Sequence, residues 1–173
     1  MNDVAIQALQ NAPQAGSNNF VAPSTEFLET LSLIERLHRL LLDVLKDEFE
    51  RLGWIDLNSV QALLLFNIGA EEVTAGDLKA RGYYQGSNVS YNLKKLVDGG
   101  YLNHTRCNSD RRSVRISLTE KGEEIRDLVA DIFGSQCLRL QETAFEGNQD
   151  FEEMNNRMRR LETFWRGKIR FIY

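Results

Sequence analysis

A mainly α-helical fold with one small β-hairpin is predicted by three observations in this 173-residue chain. Apolar residues recur at three- and four-residue spacing over most of its length. Cap and stop residues divide that rhythm into separate helices. Between Tyr101 and Thr119 the period changes to two, with a polar turn in the middle.

Composition narrows the class. The apolar and charged fractions are ordinary for a soluble globular protein. The longest apolar run falls far short of a membrane span, and no basic-then-apolar signal opens the chain, so the expected setting is the cytoplasm with no membrane partner. Cys107 and Cys137 are too few for a disulfide framework and suit a reducing compartment. The net charge of -4 hides a segregation. From Thr74 to Lys121 nine basic residues stand against four acidic ones, roughly +5, while the remainder holds twelve against twenty-one, roughly -9. A basic module inside an acidic protein fits a polyanionic partner.

The elements follow in order. Residues 1–23 are rich in Asn, Gln, Ala and Gly, carry both prolines, and read as a tail. Ser24 caps a long helix, Glu26 and Glu29 suit the positive end of its dipole, and Gly53 stops it. One ridge of that helix is Phe27, Leu31, Ile34, His38, Leu41, Leu45 and Phe49. A second ridge, Leu33, Leu37, Leu40 and Val44, lies beside it, and two apolar ridges require two partners. "DLNSVQALLLFNIG" is a short helix capped by Asn58 or Ser59 and ended by Gly69. "VTAGDLKARG" is another, with Thr74 and Asp77 as a box-like cap. "QGSNVSYNLKKLVDGGYL" gives a third over 85–98, with Val89, Leu93, Leu96 and Val97 on one face and Gly99-Gly100 as its stop. "YLNHTRC" and "SVRISLT" form a hairpin whose tip lies within 106–114. Thr119 opens a long helix with Ile125, Leu128, Val129 and Ile132 as its core stripe, reaching about Phe145. After "EGNQD" a last helix carries Phe151, Met154, Met158, Leu161, Trp165 and Ile169 in a three-four rhythm.

Three short helices followed by a two-stranded ribbon describe a winged helix-turn-helix. A helix that reads base edges needs polar, small side chains in its first turns. Gln85, Ser87, Asn88, Ser90, Tyr91 and Asn92 meet that demand, and Lys94 and Lys95 are placed to meet phosphates. Arg111 and Arg112 at the hairpin tip can enter a minor groove, with Asp110 holding Arg112 by a charge-assisted bond. An exposed polar helix or a solvated turn accounts for each part separately. Their order and separation favour double-stranded DNA as the partner.

The run "GDLKARGYYQGSNVSYNLKKLVDGGYLNHTRCNSDRRSVRISLTEKG" resembles the helix-turn-helix and wing of the MarR family of bacterial transcriptional regulators. The match rests on Leu78, Ser87, Val89, Ser90, Leu96, Gly100, Tyr101 and Leu102. It continues through the Asp-x-Arg pair (Asp110, Arg112) and Leu-Thr-x-x-Gly (Leu118, Thr119, Gly122). Departures are Lys79, where the family has a small residue, and Gly82-Tyr83-Tyr84 in the turn. No motif ties the chain to one branch, the LdtR-like branch included.

The resemblance implies a homodimer held by its first and last helices, hence an organisation of tail (1–23), N-terminal dimerisation helix (24–57), DNA-binding region (58–122) and C-terminal helices completing the interface (123–173). It also implies a pseudo-palindromic site and repression relieved by a small aromatic or phenolic ligand. The walls expected for that ligand are His38, Leu41, Leu45, Leu63 and Phe66, with Trp54 near in the chain, although ordinary core packing explains each of them. Two other readings stay open: a redox sensor acting through Cys107, whose thiol lies near Arg106 and Arg111 in sequence, and a winged-helix adaptor that binds protein instead of DNA. No catalytic constellation, phosphate loop or metal cluster is visible, His38 and His104 being isolated, so neither an enzyme nor a cofactor is expected.

Overall fold

The computed structural model describes residues 22–54, 56–80, 86–106 and 114–169. The chain divides into two compact units, 1–38 and 39–173. Helix α1 (Thr25–Arg51) begins in the first and ends in the second.

In the first unit Ser24 Oγ accepts from the backbone N–H of Phe27 at 3.2 Å, which starts α1 as the sequence predicts. Hydrogen bonding from its own backbone, and then from Ser24, holds the Glu26 carboxyl below its usual range. Phe27, Leu33 and Leu37 are exposed.

The second unit holds the core. Leu45 and Phe49 are the buried residues of α1. The helix closes where Gly53 turns to φ +80°, with Gly53 N–H donating to Glu50 O (3.1 Å) and Trp54 N–H to Phe49 O (2.9 Å). Only glycine adopts that left-handed turn without steric cost. Helix α2 (Ser59–Ile68) opens with a reciprocal cap: Gln61 N–H donates to Asn58 Oδ1 (2.9 Å), and Asn58 N–H to Gln61 Oε1 (3.2 Å). Ala62, Leu64, Leu65 and Ile68 are buried, so α2 lies in the core, where the later helix Glu120–Thr143 packs against it.

Strand β1 (Val73–Thr74) precedes α3 (Ala75–Ala80). Thr74 N–H and hydroxyl both donate to Asp77 Oδ2 (2.8 and 2.7 Å), and Asp77 N–H donates to Thr74 Oγ1 (3.1 Å). Helix α4 (Gly86–Asp98) leads into β2 (Leu102–Arg106) and β3 (Val114–Leu118). All three strands are antiparallel, in the order β1-β3-β2, with Val73 opposite Ile116 and Leu102 opposite Leu118. The sequence predicts the β2–β3 ribbon but not β1. Two residues are too few to show a period, and β1 exists by pairing with β3.

Helix α5 (Glu120–Thr143) is capped by Thr119, whose Oγ1 accepts from Gly122 N–H at 3.1 Å. Ile125, Val129 and Ile132 are buried, and the Phe133 ring meets Phe66 of α2 edge-on at 5.2 Å. Phe145 and Phe151 stack at 4.5 Å across the turn into α6 (Asn148–Arg166), and Asp150 Oδ2 accepts from Glu146 N–H at 2.7 Å. No residue of α6 is buried. No described helix is long and apolar enough to cross a membrane.

Candidate nucleic-acid interface

Helix α4 has the two faces that DNA reading requires. Leu93 and Leu96 are buried in the core, and Val97 is packed against it. On the outer face Ser90, Tyr91, Lys94 and Lys95 are exposed, Tyr91 by 62 %. The Lys95 ammonium lies 5.9 Å from the Tyr91 ring centroid, so a cation and an aromatic ring share this face. Asn92 departs from expectation. It is 8 % exposed, because its position falls on the same side as Leu93 and Leu96, and it has a bonding partner there. It does not face outward.

Gln85, Asp110, Arg111, Arg112 and Cys107 lie outside the described residues, as do the side chains of Lys79, Ser87, Asn88 and Val89. The backbone places Ser87 and Asn88 in the first turn of α4, one turn before Ser90 and Tyr91. The strands flanking the expected tip are in register down to Arg106 opposite Val114.

The structure shows contacts that sequence reasoning missed. Arg115 on β3 pairs with Glu72, just before β1, at 3.0 Å. Both side chains are about half exposed, so the pair fixes geometry more than it adds stability. At the other end of the ribbon α4 meets α5. Gly100 (φ +75°) ends α4, with Gly100 N–H donating to Val97 O (3.0 Å) and Tyr101 N–H to Leu96 O (2.9 Å). The Thr119 hydroxyl donates to Gly100 O (2.7 Å), Thr119 N–H to Tyr101 O (3.1 Å), and Lys121 Nζ to Gly99 O (3.1 Å). Lys121 Nζ also lies 3.9 Å from the Tyr101 ring centroid.

Of the residues expected to wall a ligand site, Leu45 is fully buried and Leu63 and Phe66 pack against the same cluster. Leu41 is half-buried and His38 is exposed. Among the described residues Cys137 carries a free, exposed thiol, and no group of three or more His, Cys, Asp or Glu could hold a metal.

The pattern of the winged helix DNA-binding domain family matches residues 57–122. The exopolysaccharide II synthesis transcriptional activator ExpG of Rhizobium meliloti is 37% identical over 149 residues, covering 84% of this chain and 74% of that protein. A MarR transcriptional regulator from Methanosarcina mazei superposes with a TM-score of 0.64 at 25% identity, over 82% of this chain and 99% of the other. The chain belongs to the MarR family. FabT of Streptococcus pneumoniae, solved in complex with DNA, shares the fold at a TM-score of 0.66 and 19% identity, over 83% of this chain and 99% of that one. This MarR-family protein is therefore a DNA-binding winged-helix transcription regulator and not an enzyme. Of the residues that carry the resemblance in the sequence, Gly100, Tyr101, Thr119 and Gly122 take part in the hydrogen bonds where the end of α4 meets the start of α5.

Proposed function

We propose that the protein acts as a homodimer on pseudo-palindromic promoter DNA in the cytoplasm. Each protomer lays α4 in a major groove and its wing in the neighbouring minor groove. The observation that carries this reading is the division of α4: Leu93 and Leu96 inside, Ser90, Tyr91, Lys94 and Lys95 outside. Gln85, Ser87, Asn88, Ser90 and Tyr91 read base edges, while Lys94 and Lys95 meet phosphates. Arg111 and Arg112 enter the minor groove, and Asp110 aims Arg112.

Dimerisation is supported by apolar surface that the single chain leaves uncovered. Leu40 and Val44 of α1, like Leu33 and Leu37 in the first unit, are exposed. So are Met154, Met158, Phe164 and Trp165 of α6. Side chains of this size on helix faces are the usual mark of a partner surface. An aromatic effector is the remaining part of the reading, with Leu41, Leu63 and Phe66 of the second unit as its walls. Leu45, with no exposure, belongs to the buried cluster against which Leu63 and Phe66 pack. Such a ligand acts only through unequal affinity for the DNA-bound and free arrangements.

The sign of regulation has two readings. The family resemblance implies repression, whereas the relative at 37% identity is an activator. We favour activation on that ground, and reporter output with and without the regulator decides it.

Arg112→Ala is expected to weaken operator binding by roughly 1–3 kcal/mol without unfolding the protein, the size of a lost groove contact. Titrating duplex against salt tests the whole reading. Affinity should fall steeply and linearly on logarithmic axes. Near-absence of duplex binding at low salt would favour a protein-binding adaptor, and an unchanged Arg112→Ala titration would remove the wing from the mechanism.

A further inference from the structure

We infer that Lys121 is a positioning residue for DNA reading: it locks the C-terminal end of the recognition helix α4 onto the start of α5 without touching DNA itself. The inference rests on α4 being the helix that reads DNA.

A helix ends with carbonyls that no turn of its own can satisfy. At the end of α4 the glycine turn satisfies Leu96 O and Val97 O. Just beyond the helix, Gly99 O and Gly100 O are both taken by α5 or its cap: Lys121 Nζ donates to Gly99 O at 3.1 Å, and the Thr119 hydroxyl to Gly100 O at 2.7 Å. The two bonds differ in kind. Thr119 is a short side chain already committed to capping α5 through Gly122 N–H. Lys121 is exposed and long, and ordering such a side chain costs rotamer entropy.

Its ordering has three physical causes. The ammonium sits at the negative end of the α4 dipole. It makes a charge-assisted bond to a carbonyl. It also lies 3.9 Å from the face of Tyr101, a ring that is only 4 % exposed and therefore fixed. One lysine thus bridges the last turn of the recognition helix, the first residue before β2, and the first turn of α5.

This joint is where aim is set. Base-edge hydrogen bonds lose strength over fractions of an ångström and a few tens of degrees. Phosphate contacts, by contrast, tolerate displacement because they are largely long-range charge attraction. Slack between α4 and α5 therefore harms specific reading more than general attraction to duplex. Lys121 belongs to the basic segment that the charge distribution assigns to the polyanion, yet its ammonium is already engaged by Gly99 O and the Tyr101 ring.

The test compares wild type, Lys121→Met and Lys121→Arg by fluorescence anisotropy on operator and on unrelated duplex across a salt series. Methionine keeps the apolar stem over the Tyr101 ring and removes the charge and the donor. Lys121→Met should bind operator about tenfold more weakly, equivalent to about 1.4 kcal/mol. Its affinity for unrelated duplex and its salt slope should match wild type, and Lys121→Arg should restore operator affinity. Circular dichroism and light scattering should show the same fold and assembly in all three. Operator binding by Lys121→Met within twofold of wild type would overturn the inference. So would equal weakening on both duplexes with a salt slope lower by about one, the signature of a lost phosphate contact. If wild type itself failed to prefer operator, the reading of α4 would fall, and this inference with it.

Discussion

Gly122→Ala is expected to destabilise the protein by about 2 kcal/mol, the middle of the range for forcing a methyl into a packed site. Alanine in a helix interior normally gains about 1 kcal/mol over glycine, so the expected sign is the reverse of the usual one. The reason is local. A Cβ at Gly122 would stand 2.2 Å from the carbonyl oxygen of Tyr101. That oxygen cannot swing away, because it accepts from Thr119 N–H at 3.1 Å and its residue leads directly into β2, which pairs with β3. The same helix supplies a control. Gly134 has nothing within 4 Å of its would-be Cβ, so Gly134→Ala should raise stability by up to about 1 kcal/mol. Urea denaturation of the two variants measures both. A Gly122→Ala midpoint at or above that of wild type would show that α5 and β2 slide apart freely.

Removing residues 148–173 is expected to abolish the dimer and reduce operator binding to its sequence-independent level, about a thousandfold or more weaker. Helix α6 contributes no buried residue to the described core, so its loss opens no cavity there. What it removes is the exposed set of Met154, Met158, Phe164 and Trp165. Light scattering should find monomers or aggregates. A well-behaved dimer that still shifts operator in a gel would take α6 out of the interface.

Much of the fold was legible because its punctuation is local. Asn58 with Gln61, Thr74 with Asp77, and Thr119 with Gly122 are caps made within three residues; the last two stand where the sequence places them, and at the first Asn58 is the cap where the sequence leaves Asn58 or Ser59. Gly53 and Gly100 stop helices because only glycine takes their positive φ cheaply. The second ridge of α1 was legible for a different reason: two apolar stripes cannot both face one core, and Leu33, Leu37, Leu40 and Val44 are indeed exposed.

What escaped depends on partners distant in sequence. Strand β1 owes its existence to β3, and Arg115 meets Glu72 across 43 positions. Asn92 looked like a base reader because its type is right, but its angular position on α4 puts it inside. Lys121 looked like one more cation for phosphate, and nothing near it in sequence announces Gly99 O as its partner. Side-chain type was legible throughout; direction was legible where a helical or alternating period fixed it.

The two-residue strand β1 has a consequence for how the molecule assembles. Its pairing partner β3 lies some forty residues later in the chain, beyond α4 and β2. Contacts of such sequence separation form late and slow the search for the native state. The wing therefore acts as a clasp. It ties Val73 and Thr74, at the entry to α3, to Ile116 and Arg115, so the two ends of the DNA-reading segment are held together by one ladder.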